Sequence, residues 1–187
     1  MKIIYFLILM GCQLMYAQND MFIGVTYGSS DLFRQDDASH YNYKNSEIGV
    51  FLEKNFAWKS NSENSIKKYW ILQPKLILGD YVFYADDIHQ KIFRGDLSAG
   101  IKFVKEFNKI SAQAKFNMSS GYQTGYHQRL EKGVFFTEKL NLGLEFQFIS
   151  KLPTFVDVGV MHISNANFYP LNRGLEVFFI EVGFKIL

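Results

Sequence analysis

His162, Ser164 and Glu176 are the three side-chain types that together hydrolyse esters, and they lie close together near the end of the chain. In such a set a Ser hydroxyl attacks the carbonyl carbon, a His takes the proton of that hydroxyl, and a carboxylate orients the His. The three residues therefore predict acyl-transfer chemistry, provided that the fold brings their side chains to one place.

Both segments that carry these residues alternate between apolar and other side chains, which predicts two neighbouring β-strands. Residues two apart in a strand share a face, with Cα atoms about 7 Å apart, so His162 and Ser164 point the same way. If residues 165–173 close a hairpin, one register places Ser164 opposite Gly174 and His162 opposite Glu176. That register brings all three side chains to one patch. The alternative is a polar strand end that runs into an exposed loop.

The order and spacing of these residues are similar to those of a known family. A His-x-Ser-Asn-Ala pattern begins at His162, and an Asn-x-Gly-x-Glu pattern begins at Asn172, eight residues after Ser164. Together they resemble the lipid A 3-O-deacylase family, also called PagL, over about residues 159–183. The resemblance implies an outer-membrane β-barrel that hydrolyses the ester-linked 3-hydroxyacyl chain at the 3-position of lipid A.

The resemblance also implies a role for each residue of the two patterns. Ser164 is expected to be the nucleophile, His162 the base and Glu176 the orienting acid, while Asn165 matches the Asn that supports activity in the family. The oxyanion of the tetrahedral intermediate needs hydrogen-bond donors, for which Asn165, Asn172 and backbone N–H groups of the loop are candidates. No metal or cofactor is required for this reaction.

The first residues of the chain predict export. A basic residue is followed by an apolar run over residues 3–10, and Ala17 offers a small residue at a cleavage point. This pattern predicts a secretory signal peptide over residues 1–17, which leaves residues 18–187 as one outer-membrane β-barrel domain. A lipoprotein signal with Cys12 as the lipidated residue is the alternative.

Composition limits the classes of function. The formal net charge is only +2, so nothing indicates a nucleic-acid partner. Cys12 is the only cysteine and lies in the predicted signal, so the exported chain has neither a disulfide nor a cysteine-based metal site. Aromatic residues make up 17% of the chain, although the mean hydropathy is −0.05. This combination is typical of membrane barrels, in which apolar and polar residues interleave.

Period-two alternation recurs along the chain and predicts eight strands separated by polar loops. We place them at residues 20–29, 45–56, 67–79, 91–105, 109–120, 133–148, 154–164 and 174–187. No apolar run after the signal is long enough for a transmembrane helix. The predicted fold is therefore all-β, an eight-stranded antiparallel up-and-down barrel that spans a membrane.

Each predicted strand has an apolar face and a face that combines charge, amide and glycine. In the sixth strand, for example, Leu140 and Leu142 alternate with Lys139 and Asn141. A membrane barrel turns the apolar face outward against lipid, whereas a soluble lipid-binding barrel of the periplasm turns it inward. Alternation alone does not decide between the two, but the aromatic composition and the family resemblance favour the membrane.

His162, Ser164 and Glu176 share the face of the apolar residues in their strands. If that face meets lipid, the three polar groups do too, which is costly unless they have a purpose. An even number of strands places both termini on the periplasmic side, so loop 165–173 is external and the site lies at the outer leaflet. Lipid A of lipopolysaccharide is then the expected substrate. The residues expected to flank its acyl chain are Val160, Phe168, Phe178 and Ile180.

One rival function stays open, namely a non-enzymatic small outer-membrane barrel whose loops are structural or adhesive. The sequence leaves open which acyl position or lipid is preferred, and whether the chain forms a homodimer. The other predicted external loops, at residues 30–44, 80–90 and 121–132, carry His residues without the spacing of metal ligands.

Overall fold

The computed structural model describes most of the chain. The described residues are 20–30, 43–58, 66–83, 88–125, 132–147, 152–166, 168 and 174–187. The predicted signal peptide, residues 1–17, and Asn172 lie outside them.

Eight antiparallel strands form one closed barrel in these ranges. The strands are β1 (Met21–Ser29), β2 (Tyr43–Ala57), β3 (Lys67–Phe83), β4 (Ile88–Phe107), β5 (Ile110–Gln123), β6 (Gly133–Gln147), β7 (Pro153–Ser164) and β8 (Leu175–Lys185). Each strand pairs with the next along the chain, and β8 pairs with β1, so the sheet has no free edge. The predicted fold class is confirmed.

The strand ends differ from the prediction mainly at β3 and β4. These two strands continue to Phe83 and from Ile88, so they take up most of the loop predicted at residues 80–90. Tyr81 of this extension is buried inside the barrel in the same apolar cluster as Ile92, and this burial favours continued pairing. None of the described residues forms a helix that is long and apolar enough to cross a membrane.

Charged and amide side chains line the inside of the barrel. Glu181 of β8 accepts hydrogen bonds from Lys75 of β3 and Lys139 of β6. Arg94 of β4 pairs with Glu47 of β2 at 2.6 Å. The outer face is apolar, and its exposed side chains include Ile23, Val50, Leu78, Leu97, Phe116, Leu142 and Val158. This is the arrangement of a membrane barrel and the opposite of a soluble lipid-binding barrel.

An apolar cluster inside the barrel backs the strands that carry the predicted site. Ile163, Leu175 and Val177 are fully buried in this cluster. They alternate along β7 and β8 with the outward positions of His162 and Glu176. Because their inward neighbours are packed, the outward side chains stand on a fixed backbone, as a precise site requires.

Candidate active site

His162 and Glu176 form a hydrogen-bonded pair on the outer face of the barrel. The β7–β8 register makes them direct cross-strand partners, as predicted. His162 Nδ1 lies 3.1 Å from Glu176 Oε1, and both side chains are 45% exposed. In the tautomer with the proton on Nδ1, the imidazole donates to the carboxylate and leaves Nε2 as the proton acceptor. The pair can therefore act as a general base and its orienting acid.

Ser164 occupies the next outward position of β7 after His162. Its partner on β6 is Phe136. On the other side, the ladder with β8 ends at the Ile163–Leu175 pair, and Gly174 is the residue directly before Leu175. Ser164 is half-buried. The hydroxyl thus stands at the end of the strand, on the face that exposes the imidazole.

The chain turns sharply after Ser164. The backbone N–H of Phe168 donates to the carbonyl of Asn165 at 3.0 Å, and Ala166 has a φ of 50°. A left-handed conformation costs a non-glycine residue about 1–2 kcal/mol, so the surrounding structure must hold this turn. Asn165 is fully buried. The other expected oxyanion donor, Asn172, lies outside the described residues.

Glu138 is a further polar residue at this site, and the two sequence patterns that predicted the site do not include it. It is the cross-strand partner of His162 on β6, so the imidazole has a carboxylate-bearing neighbour on both sides. Glu138 is exposed on the lipid-facing side. A charge there is costly and marks a functional position by default. The signal in the sequence is the interruption of the apolar face of β6 by this one residue.

A groove of about 320 Å³ runs over the outer surface from these polar groups. Its apolar part is formed by Val160, Leu140 and Phe116, which are cross-strand neighbours on β7, β6 and β5. The complete lining is Phe116, Glu138, Lys139, Leu140, Val160, Met161, His162 and Glu176. The groove therefore offers a polar end beside the imidazole and an apolar path toward the middle of the barrel wall.

The residues expected to flank an acyl chain are only partly brought together. Val160 lines the groove. Phe178 and Ile180 face outward on β8, outside the lining of this groove. Phe168 instead packs against Phe136, with ring centroids 5.7 Å apart. This groove lies on the β5–β7 side of His162, whereas the prediction also included Phe178 of β8, which is the cross-strand partner of Val160.

The described residues contain no group of three or more His, Cys, Asp or Glu side chains that could hold a metal ion. The site is built from the hydroxyl, the imidazole and two carboxylates on three neighbouring strands. Such a set can activate a nucleophile and stabilise the imidazolium that forms.

Residues 41–185 match the profile of a protein family described as lipid A 3-O-deacylase (PagL). Among solved structures, the chain is similar to the crystal structure of the outer membrane enzyme PagL, with a TM-score of 0.63 and 12% identity over 88% of this chain and 99% of that chain. It also matches the backbone structure of the Yersinia pestis outer membrane protein Ail in a phospholipid bilayer nanodisc, with a TM-score of 0.42 and 12% identity over 90% of this chain and 100% of that chain. No curated protein matches the chain significantly. The family match spans most of the chain, and the likeness to the PagL crystal structure bears on the fold alone.

Proposed function

We propose that this chain, which belongs to the lipid A 3-O-deacylase (PagL) family, removes the 3-O-linked hydroxyacyl chain of lipid A with Ser164, His162 and Glu176. The family and the barrel fold make it an outer-membrane hydrolase of lipid A. The proposal adds the position of the ester and the three residues. The observation that carries it is the hydrogen-bonded pair of His162 and Glu176 on the lipid-facing side of the barrel.

The site lies at the end of the barrel away from the start of β1 and the end of β8. β7 runs from Pro153 to Ser164, and β8 returns from Leu175 to Lys185 beside the start of β1. If the termini are periplasmic, as in outer-membrane barrels generally, the site faces the outer leaflet. A lipid of that leaflet can then reach the imidazole sideways, without leaving the membrane.

The reaction follows from the chemistry of the three side chains. Ser164 Oγ attacks the ester carbonyl carbon while His162 Nε2 takes the hydroxyl proton, and Glu176 stabilises the imidazolium through Nδ1. The tetrahedral intermediate expels the alcohol oxygen of the sugar, which receives the proton from Nε2. Water, activated by the same imidazole, then hydrolyses the acyl-serine. The products are a free 3-hydroxy fatty acid and a lipid A with one chain fewer.

The groove supplies a place for the acyl chain. With the ester carbonyl at Ser164, the chain would extend over Val160, Leu140 and Phe116, which are cross-strand neighbours. Their apolar side chains would take the place of neighbouring lipid tails, so the acyl chain would remain in apolar surroundings when it binds. The polar end of the groove holds the imidazole beside the ester.

The test is mass spectrometry of lipid A from a Gram-negative host that expresses the protein. The wild type is expected to lower the mass of lipid A by one 3-hydroxyacyl chain, and the Ser164→Ala variant is expected to leave it unchanged. Heat-dependent gel migration of the outer-membrane fraction shows for both proteins that the barrel is folded in that membrane. Unchanged lipid A with folded wild-type barrel would contradict the proposal and favour the non-enzymatic barrel.

A further inference from the structure

Gly174 stands directly before β8, next to the nucleophile. It precedes the Leu175–Ile163 pair that ends the β7–β8 ladder, and a Cβ on it would lie 3.3 Å from the carbonyl oxygen of Ile163, the residue before Ser164. Its φ is +67°, in the left-handed region, and the residue is buried. Backbone conformation alone would favour glycine at this position.

The surroundings of Gly174 give a second reason for glycine, and this one concerns the imidazole. A Cβ built on Gly174 would lie 2.5 Å from Cε1 and 3.1 Å from Nε2 of His162. It would also lie 3.3 Å from the carbonyl oxygen of Ile163. Carbon atoms in favourable contact are about 3.5–4.0 Å apart, so the ring occupies the space that a side chain would fill. The imidazole and a backbone carbonyl group therefore border that space.

These contacts fix the ring from two directions. The Nδ1 edge is held by Glu176 at 3.1 Å. The adjoining edge, with Cε1 and Nε2, lies against Gly174. A side chain at 174 would therefore have to displace the ring, and with it the contact with Glu176.

We propose that Gly174 is a positioning residue, whose missing side chain lets the imidazole of His162 lie between Glu176 and Ser164 in a reactive orientation. This role rests on the proposed function, because it concerns the general base of that reaction. Gly174 takes no part in bond making. Because it has no side chain, it leaves the space that the imidazole of His162 occupies.

A double-mutant cycle of unfolding stability separates the contact with the imidazole from the strain that a side chain causes at this backbone conformation. Gly174→Ala is made in the wild type and in the His162→Ala variant, and unfolding in lipid vesicles is followed by urea titration. Backbone strain is the same in both backgrounds, whereas the contact with the ring exists only in the first. We therefore expect Gly174→Ala to lower the urea midpoint more when His162 is present. Equal losses in both backgrounds would overturn the proposal.

Gly133→Ala is the matched control for strain. Gly133 begins β6 with a φ of 133°, and its ladder partner is Gln123 of β5. Its effect on the midpoint is expected to be independent of His162. Gly174→Ala could fail to fold when His162 is present. In that case, folding of the His162→Ala/Gly174→Ala double variant supports the proposal. Failure of both variants to fold overturns it.

Kinetics give the second readout, with lipid A in detergent micelles as the substrate. A misplaced catalytic group costs about 10²-fold in rate, so kcat of Gly174→Ala is expected to fall by about that factor while KM changes little. Labelling of Ser164 by a phosphonate ester is expected to slow in parallel, and Gly133→Ala is expected to keep both rates. Wild-type kcat and labelling in folded Gly174→Ala would overturn the proposal. If the wild type itself leaves lipid A intact, the proposed function fails, and the stability cycle still tests the contact.

Discussion

His162 Nδ1 lies 3.1 Å from Oε1 of Glu176, and the same two residues are direct partners in the β7–β8 ladder. Cross-strand neighbours have Cα atoms about 4.5–5.5 Å apart, so the barrel itself sets the separation of the two side chains. The contact between these two side chains therefore depends on the register of β7 and β8. Ser164, the proposed nucleophile, is the last residue of β7.

The first prediction concerns the roles of the three residues. Ser164→Ala and His162→Ala are each expected to lower kcat by more than about 10³-fold, and the double variant is expected to be no worse than either, because residues that act as a unit are not additive. Glu176→Ala is expected to retain more activity, since the carboxylate orients the base. The measurement is the initial rate of fatty-acid release from purified lipid A.

Ser120→Ala is the matched control for these variants. Ser120 is exposed on the outer face of β5, two strands from Ser164, and does not line the groove beside His162. This substitution is expected to leave the rate unchanged. A near-normal rate for Ser164→Ala would remove Ser164 as the nucleophile, and additive losses in the double variant would show that the two residues act separately.

The second prediction concerns Glu138. A carboxylate on the lipid-facing side costs stability, up to about 1 kcal/mol near the interface. Glu138→Leu is therefore expected to raise or preserve the urea midpoint in vesicles while it lowers the rate of hydrolysis, as at sites where function opposes stability. Glu138→Gln keeps the shape of the side chain, so an equal loss of rate would assign the effect to the charge. A lower midpoint with a normal rate would make Glu138 a structural residue.

The strands and their register could be predicted because the barrel imposes a strict alternation. Apolar residues must face lipid and polar residues must pair inside, so a shift of one residue would reverse both faces. The exact ends of β3 and β4 could not be predicted in this way. Tyr81 hydrogen-bonds to Glu47 inside the barrel, and this contact joins residues far apart in the sequence.

The register of the strands and the local backbone explain which features of the site could not be predicted from the sequence. The pairing of His162 with Glu176 follows from two strands joined by one hairpin, whereas the place of Glu138 depends on the register of β6 with β7 across a separate turn. Asn165 is adjacent to Ser164 in sequence but fully buried. The left-handed Ala166 that follows it begins the turn, and an alanine gives no sequence signal for that conformation.

The third prediction concerns the charges inside the barrel. Glu181 is fully buried and accepts hydrogen bonds from Lys75, from Lys139 at 3.0 Å and from Asn141 at 3.2 Å. Glu181→Ala leaves two buried lysines without this partner, which typically costs 3–5 kcal/mol, so we expect a loss of about that size in the free energy of unfolding. Urea titration in lipid vesicles measures it.

The control for that loss is an ion pair at the surface. Lys67 and Glu106 lie 2.6 Å apart with side chains 51% and 55% exposed. Exposed pairs contribute at most about 1 kcal/mol, so Glu106→Ala is expected to change stability little. Similar effects of Glu106→Ala and Glu181→Ala would mean that water enters the barrel and screens the interior charges.

The last prediction concerns which face of the barrel wall meets lipid. Val158 of β7 and Ile180 of β8 are cross-strand partners near the middle of their strands, and they are 43% and 39% exposed. An arginine that faces lipid near the bilayer midplane costs about 2–4 kcal/mol, so Val158→Arg and Ile180→Arg are each expected to lower the free energy of unfolding by that amount.

Ser111→Arg is the control, because Ser111 lines a polar cleft with Glu106 and Glu145 at the end of the barrel. An arginine there gains carboxylate neighbours and is expected to cost less than either lipid-facing variant. If Ser111→Arg proves the most damaging and the other two harmless, the apolar face does not meet lipid, and a lipid of the outer leaflet has no lateral route to His162.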